Sequence, residues 1–397
     1  MKVKTTALTV AAMVAAIGLA TAGSYAQGPG PAPAAAPAQA PAPGRAGGPP
    51  TPLYDSALDF SLTDACGGRS KTPMVACEAD VTRMMRVLPA TAVATPARPR
   101  KILVLGTSRG FQHSSIPLAA KMVEEMGKKT GAWTTDVTYH AGAINAANLA
   151  QYDAIFLSST TGTFLDEPNP FNDPAVAAVT AARRKALTDF VRGGKGIAGI
   201  HAATDAYHGQ LPGAARQGGA GGGGGRGAGA AAPAPCTSTQ TQGAAAGGSP
   251  LWPEFNTMIG GYFKFHWNYP TPITVKIDDP TNPINAAFKG QSFNAIDEVY
   301  TFAHDSFSRT NVRVLTSVDY STMSPCDKGL ESNMRPDNDY AISYIKREGQ
   351  GRVFYQALGH HESIYYNNPA MLEHIQAGIQ YALGDLKADD TPLPLKR

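Results

Sequence analysis

The stretch that decides the fold is GIAGIHAATDAYH, residues 196–208, in which a short apolar run ends at a histidine among small residues. We interpret its first part, Gly196–His201, as a buried strand. Three comparable runs precede it, at Lys101–Gly106 (KILVLG), Asp136–His140 and Asp153–Ser158. Segments with helical apolar spacing lie between them, at Ile116–Lys129 and Val176–Arg192. Strands that alternate with helices predict a parallel sheet with helices on both faces.

The C-terminal half contains β-like runs with fewer helices between them. We expect strands at Ile273–Ile277, Glu298–Phe302, Val312–Val318, Tyr340–Ile345 and Arg352–Leu358. Helices are expected near Trp252–Ile259 and at Met371–Leu383. The fold class that follows is α/β, with added β-strands in the C-terminal half.

Low-complexity tracts divide the chain, which has 42 glycines and 31 prolines in 397 residues. Residues 27–50 predict a disordered Pro/Ala/Gly-rich linker, and residues 209–250 a disordered Gly/Ala-rich insertion. A glycine-rich phosphate cradle is the other interpretation of 209–250, but this tract lacks the P-loop lysine. The expected organisation is completed by an N-terminal extension (51–99) with a helix around Glu78–Leu88, a main domain (100–386) and a tail (387–397).

The first 26 residues have the layout of a secretory signal peptide. Lys2 and Lys4 precede an apolar run, Ala7–Ala20, and a small-x-small end, Ser24–Ala26. The alternative is an uncleaved anchor, but the run is short of the roughly 20 residues that cross a bilayer. We therefore expect a secreted or periplasmic protein without a membrane span after cleavage.

Export permits disulfides, and the four cysteines offer two pairings. Cys66 and Cys77 enclose a short loop, and Cys236 and Cys326 could form a second bridge. A Cys-type zinc site is the weaker interpretation because no CxxC spacing exists. The formal net charge of +3 comes without a block of Lys or Arg, so we expect no nucleic-acid partner.

Histidines and carboxylates lie where predicted strands end. His113 follows the first strand, His201 ends the fourth, and His360 follows VFYQALG. The carboxyl ends of parallel strands meet at one edge, and neutral imidazoles there suit zinc or a similar divalent metal, or general acid/base catalysis. We predict that His113, His201 and His360 bind the metal; a loop hydrogen bond is the alternative for each. His201, Asp205, Glu298 and Glu362 are the candidate catalytic residues.

The residue at the strand-to-helix elbow is His201, within Gly199–Ala203, and no GxCxG occurs in the sequence. This excludes a Cys-dependent glutaminase of the usual kind. Aromatic side chains beside polar groups suit stacking on sugar rings. We therefore place Trp267, Tyr365 and His266 at a carbohydrate substrate, with core packing as the alternative for the aromatic residues. His208 and His361 are weaker candidates, and His140, His304 and His374 are assigned structural roles.

Several segments together resemble the ThuA-like (trehalose utilisation) family of the class I glutamine amidotransferase-like superfamily. These are GFQHSSI (110–116), GIAGIHAATDAYH (196–208), WPEFNTMIGGYFKFH (252–266), IDEVYTF (296–302) and the run 351–385. The resemblance covers Lys101–Asp385 and implies a flavodoxin-like, doubly wound, mostly parallel sheet. It also implies a role in the use of trehalose, related disaccharides or their 3-keto derivatives, with a metal. The family's motif positions fall on His113, His201, Asp205, Glu254, His266, Glu298, His360 and Glu362.

Three features depart from the family pattern. Gln112 stands where the family often has Arg, which puts an anionic contact there in doubt. The tract 209–250 separates two motifs that usually adjoin, and the segment Cys326–Asp339 is longer than expected.

The function that the sequence favours is an exported metal-assisted enzyme, a lyase or hydrolase, acting on a disaccharide or 3-keto-glycoside. Two alternatives are a non-catalytic carbohydrate-binding protein and an interaction module tethered to an envelope partner. The sequence predicts no oligomeric state.

Overall fold

The computed structural model describes residues 75–167, 173–209, 249–328, 335 and 337–395. The expected signal peptide, the linker 27–50 and nearly all of the tract 209–250 lie outside the described residues. So do Cys66, Cys236 and the side chain of Cys326, and both cysteine pairings therefore stay predictions.

Eleven strands are present in the described ranges. They are β1 (Lys101–Leu105), β2 (Thr134–Thr138), β3 (Ala154–Ser158), β4 (Gly196–Ile200), β5 (His208–Gly209), β6 (Ser249–Pro250), β7 (Phe263–Ile277), β8 (Phe293–Phe302), β9 (Arg313–Val318), β10 (Ala341–Glu348) and β11 (Gly351–Gln356). Nine of them form one sheet in the order β2-β1-β3-β4-β11-β10-β9-β7-β8. The predicted strands are present, but β2 begins two residues, β8 five residues and β7 ten residues earlier than expected.

Eight α-helices are present in the same ranges. They are α1 (Glu78–Val87), α2 (Ile116–Thr130), α3 (Ala146–Leu149), α4 (Pro174–Arg192), α5 (Pro253–Ile259), α6 (Pro325–Lys328), α7 (Ile364–Asn367) and α8 (Pro369–Leu383). The five predicted helices are confirmed, with ends that differ by at most two residues. None of the helices described is both long enough and apolar enough to cross a bilayer.

The parallel half of the sheet has the order β2-β1-β3-β4-β11, in which each neighbouring pair is parallel. This is the strand order of flavodoxin-like folds, and the order reverses direction between β1 and β3. The doubly wound α/β fold is therefore confirmed. The loops that follow β1, β4 and β11 leave the sheet at the same edge, which we call the carboxyl edge.

The antiparallel half supplies a cover for that edge. Strands β10, β9, β7 and β8 pair in turn, and β7 contacts β9 only through Val275–Ile277. The rest of β7 pairs with β8, with register irregularities between Phe263 and Phe265 and between Trp267 and Thr271. Such irregularities bend and twist a hairpin. The β7–β8 hairpin consequently reaches the carboxyl edge, where Phe263 and Tyr300 pack against Ala202.

The two ends of the 209–250 tract meet. His208 pairs with Pro250 and Gly209 with Ser249 in the short antiparallel ladder β5–β6. The main domain is thus closed at the base of the tract by backbone hydrogen bonding.

Candidate metal centre

His201 is positioned by a strained elbow directly after β4. Its backbone has φ +46°, a region that non-glycine residues seldom adopt, and its carbonyl accepts a hydrogen bond of 2.6 Å from the hydroxyl of Tyr355. Space is limited, since a Cβ on Gly199 would lie 2.9 Å from the Cβ of Ala203. The small residues of GIAGIHAA are therefore required for the turn that presents the imidazole.

The ring of His201 has a defined tautomer. Its Nδ1 lies 2.9 Å from the carbonyl oxygen of Ala357, which can only accept, so Nδ1 carries the proton. The Nε2 atom is left with a lone pair and lies 3.1 Å from Nε2 of His113. Burial, followed by the proximity of His360, lowers the pKa of His201 to about 3. Both features favour the neutral imidazole that a metal requires.

His113 approaches from the loop after β1. It is buried, and burial together with the neighbouring histidines holds its pKa well below the usual value. The next residue but one, Ser115, stands at the N-terminus of α2, where its hydroxyl donates to the carbonyl of Gly359 (2.8 Å). This bond ties the loop after β1 to the loop after β11.

Glu298 and His360 complete the group. Glu298 points from β8 towards the edge, with Oε1 at 3.7 Å from Nε2 of His201 and Oε2 at 3.5 Å from Nδ1 of His360. Nδ1 of His266 lies 3.4 Å from the same Oε2. Burial opposes the charge on Glu298, but contacts with these histidines outweigh it and lower the pKa. Burial likewise opposes a charge on His360, and Glu298 raises its pKa.

Ligand atoms of His113, His201, Glu298 and His360 all lie within 4.8 Å of one another. In a tetrahedral zinc site with bonds of about 2.0–2.1 Å, ligand atoms are about 3.4 Å apart. The separations given above, 3.1, 3.7 and 3.5 Å, are close to that spacing. Three imidazole nitrogens and one carboxylate oxygen form a donor set that zinc and similar divalent ions accept. These residues fit a metal ion, and we call them the candidate metal centre.

The structure brings together the three histidines predicted as metal ligands. It adds Glu298, predicted as a catalytic residue, as a fourth candidate ligand. His266, predicted to contact substrate, reaches the centre through Glu298 and is partly exposed, with a pKa that burial lowers.

Asp205 and His208 form a second polar pair beside the centre. Nε2 of His208 lies 2.5 Å from Oδ1 of Asp205, and burial raises the pKa of Asp205. Glu298 and His266 are near enough to act on the Asp205 carboxyl: the charge of Glu298 raises its pKa and that of His266 lowers it. The pair is therefore placed where it could move a proton to or from a molecule at the centre.

Glu362 also lies at this edge. It is 5% exposed, and its Oε1 atom has no hydrogen-bond partner in the described part of the chain. Its Oε2 atom lies 3.9 Å from Nε2 of His361. A buried carboxylate oxygen without a partner is costly to maintain, which is typical of functional sites.

Trp267 and Tyr365 are placed differently from what we expected. Both are fully buried. The indole of Trp267 donates to the carbonyl of Asp327 (2.7 Å), and the hydroxyl of Tyr365 donates to the carbonyl of Gly359 (3.0 Å). These polar atoms are engaged inside the protein, so the two residues pack and position their surroundings here; substrate contact by either stays a prediction.

Glu254, a motif position, is not brought to the centre. It forms an ion pair with Arg192, which also bonds Glu348 at the end of β10. Arg192 ends α4 just before β4 begins, so this ion pair lies at the opposite edge of the sheet. His374 is buried elsewhere, between the carbonyl of Ile284 and the hydroxyl of Ser343, as its structural assignment predicts.

Two residues outside the predicted site support the centre. The carboxylate of Asp297 accepts backbone N–H bonds from Gly359 (2.6 Å), His360 (3.2 Å) and His361 (2.9 Å). Tyr300 lies beside the ring of His201, with 4.3 Å between centroids. For Asp297, the sequence signal was strand alternation: Asp297 and Glu298 must point to opposite sides of β8, so the two carboxylates have different surroundings.

The fold and this centre define a flavodoxin-like α/β protein with a histidine-rich site at the carboxyl edge of its sheet. The family model ThuA, described as trehalose utilisation, matches residues 101–242 and 240–382. The chain belongs to this family, whose description connects it with carbohydrate utilisation.

Solved structures of similar proteins include a ThuA-like protein from Bacteroides uniformis, with 18% identity, a TM-score of 0.47, and coverage of 71% of this chain and 92% of that one. A ThuA-like protein from Parabacteroides merdae has 15% identity and a TM-score of 0.41, with 72% and 90% coverage. A cytoplasmic protein from Salmonella typhimurium has 13% identity and a TM-score of 0.38, with 72% and 98% coverage. None of the curated protein sequences matches this chain.

Proposed function

We propose that the chain is an exported, metal-assisted enzyme of carbohydrate utilisation that acts on a disaccharide or a 3-keto-glycoside. The observation that carries this proposal is the convergence of three imidazoles and one carboxylate within 4.8 Å at the carboxyl edge. Family membership supports the carbohydrate as substrate. The basic start, apolar run and small-x-small end of residues 1–26 support export to the periplasm or the medium.

A divalent metal bound by His113, His201, Glu298 and His360 would polarise a carbonyl or hydroxyl oxygen of the sugar. A 3-keto group makes the adjacent C–H bond acidic, so a nearby base can remove its proton. Asp205, hydrogen-bonded to His208, and Glu362, with an unpartnered oxygen, are the groups of this chain that could accept or return that proton. A hydrolase would use the same groups to activate water.

The orientation of the centre is set by the chain before any ligand arrives. The Ala357 carbonyl fixes the tautomer of His201, and Asp297 fixes the backbone that carries His360. Preorganised ligands of this kind reduce the reorganisation that binding requires.

The experiment is a combined measurement of metal content and turnover on the exported, processed protein. The variants are His201→Ala and His360→Gln, with His304→Gln, an exposed histidine outside the centre, as the matched control. We expect about one equivalent of zinc or a similar metal in the wild type and the control, loss of the metal in both centre variants, and turnover of 3-keto-trehalose that follows the metal.

Absence of both metal and turnover in the wild type would overturn the proposal. Saturable sugar binding without any product, with metal supplied, would instead identify a non-catalytic carbohydrate-binding protein. Export is tested separately, by sequencing the mature N-terminus, which we expect at Gln27.

A further inference from the structure

A groove with a volume of about 450 Å³ lies beside the candidate metal centre. One wall is the first part of β8, including Phe293 and Ile296, and the other is formed by the loop after β11 and the start of α8, including His361 and Met371. Tyr269 also lines the groove. This volume lies within the range of about 300–1,000 Å³ that is usual for small-molecule sites.

Stacked rings connect the residues of the groove with those of the metal centre. Tyr269 stacks on His361 with 4.3 Å between centroids and an interplanar angle of 3°, and it also lies 6.2 Å from the ring of His360. His360 belongs to the centre, so Tyr269 stands between the centre and the groove. A molecule that reaches from one to the other passes along this tyrosine, which is 38% exposed.

The walls of the groove are largely apolar and uncharged. Ile296 is 52% exposed, an unusual degree for isoleucine, and Phe293, Ile364 and Met371 line the same space. Among the lining residues in the described ranges, none is Asp, Glu, Lys or Arg, and His361 is the basic one. The groove therefore suits a neutral group.

Several acceptor and hydroxyl groups of the groove are engaged already. Oδ1 of Asn294 accepts from Thr274, and Oδ1 of Asn368 accepts from the backbone N–H of Met371 at the start of α8. The hydroxyl of Ser363 bonds Nδ1 of His361. A second sugar ring would bring several hydroxyl groups that need new partners, and the asparagine amides of the lining would have to supply most of them. An aromatic ring has no such requirement and can stack on Tyr269.

We propose that this groove binds the aromatic aglycone of a glycoside whose sugar ring lies at the candidate metal centre. The proposal rests on the proposed function for the sugar ring, and it adds that the group attached to the sugar is aromatic and neutral rather than a second hexose. Tyr269 supplies the stacking surface, and Ile296 supplies the opposite apolar contact.

The test compares the binding of four probes by isothermal titration calorimetry and saturation-transfer NMR. The probes are 4-nitrophenyl β-D-glucopyranoside, methyl β-D-glucopyranoside, trehalose and 4-nitroacetophenone, a neutral aromatic ring without a sugar. The variants are Tyr269→Ala, with Tyr269→Phe as its matched control, and Ile296→Asp. Circular dichroism verifies that each variant is folded.

We expect the aryl glucoside to bind about tenfold more tightly than the methyl glucoside. Tyr269→Ala and Ile296→Asp should each weaken the aryl glucoside roughly tenfold, as expected for loss of one stacking or apolar contact. Tyr269→Phe should retain its affinity, and the methyl glucoside should be insensitive to all three changes. Saturation transfer should be strongest at the aryl protons.

Equal binding of the aryl glucoside to the wild type, Tyr269→Ala and Ile296→Asp would overturn the proposal. So would tighter binding of trehalose than of the aryl glucoside, or no binding of any probe. Failure of the proposed function gives a different result: 4-nitroacetophenone would still bind, with the same dependence on Tyr269, to a protein that holds no metal and turns over no sugar.

Discussion

Replacement of Asp297 by Asn should destabilise the protein and weaken its metal affinity together. The carboxylate accepts three backbone N–H bonds from residues 359–361, two at Oδ2 and one at Oδ1. The asparagine can keep the first two as weaker neutral bonds, but its amide NH₂ would face the N–H of His361. Two weakened bonds cost about 1 kcal/mol each, and the buried unpaired donor costs about 1–3 kcal/mol. The expected loss is therefore about 3–5 kcal/mol.

The loop that Asp297 holds carries His360, so the same change should reach the metal centre. Removal of a hydrogen bond that orients a ligand typically lowers metal affinity about 10–100-fold. The assay has two readouts: urea unfolding of the metal-free protein, and zinc affinity by competition with a chromophoric chelator.

The matched control is Asp279→Asn, because Asp279 is another buried carboxylate with several donors, among them Arg313 and Asn282. It should lower the free energy of unfolding and leave zinc affinity within about threefold. If Asp297→Asn changes the free energy of unfolding by less than about 1 kcal/mol, or lowers stability without lowering zinc affinity, the positioning role assigned to Asp297 is refuted.

Three further outcomes are expected. Burial lowers the pKa of His374 to about 4, so the unfolded chain binds a proton that the folded chain rejects. The free energy of unfolding should therefore fall by about 2 kcal/mol from pH 7.5 to 5. Urea unfolding of His374→Gln should lack this decrease, and the same pH dependence in the variant and the wild type would contradict the prediction. Gly199→Val should displace the His201 elbow and cost about 1–3 kcal/mol with loss of metal, measured by unfolding and metal analysis, whereas retained metal would contradict the steric argument. Zinc at 100 times its dissociation constant should stabilise the wild type by about 2.7 kcal/mol and His113→Ala much less. The measurement is chemical unfolding with and without chelator. Equal stabilisation of both proteins would contradict the assignment of His113 as a metal ligand.

The parallel half of the fold could be predicted from the sequence because its signals are local. KILVLG, DAIFLS and GIAGIH are apolar runs bounded by turn residues, and each ends at the carboxyl edge. Placing His113, His201 and His360 at strand ends was sufficient to predict that they converge, since parallel strands align their carboxyl ends. The prediction needed topology alone and no side-chain detail.

The orientation of the β7–β8 hairpin could not be predicted in the same way. Trp267 and Tyr269 are two residues apart, and regular alternation would place both on the same side of β7. The register irregularity that follows Trp267 separates them, so that Trp267 is buried while Tyr269 stacks on His361 at the surface. A sequence pattern does not specify on which side of a bulge the alternation resumes.

The same irregularity explains why the fourth candidate ligand comes from outside the parallel sheet. Glu298 lies near the middle of β8, and only a hairpin that extends past β9 and bends over the carboxyl edge can bring its carboxylate to His201 and His360. Asp297, on the opposite side of β8, then meets the backbone of the loop after β11. One dipeptide thus supplies a candidate ligand and the support for another. Glu298→Gln should weaken metal binding by removing a ligand while it leaves the loop after β11 in place. Asp297→Asn should leave all four ligand side chains present but weaken metal binding, because the backbone that carries His360 is held less firmly.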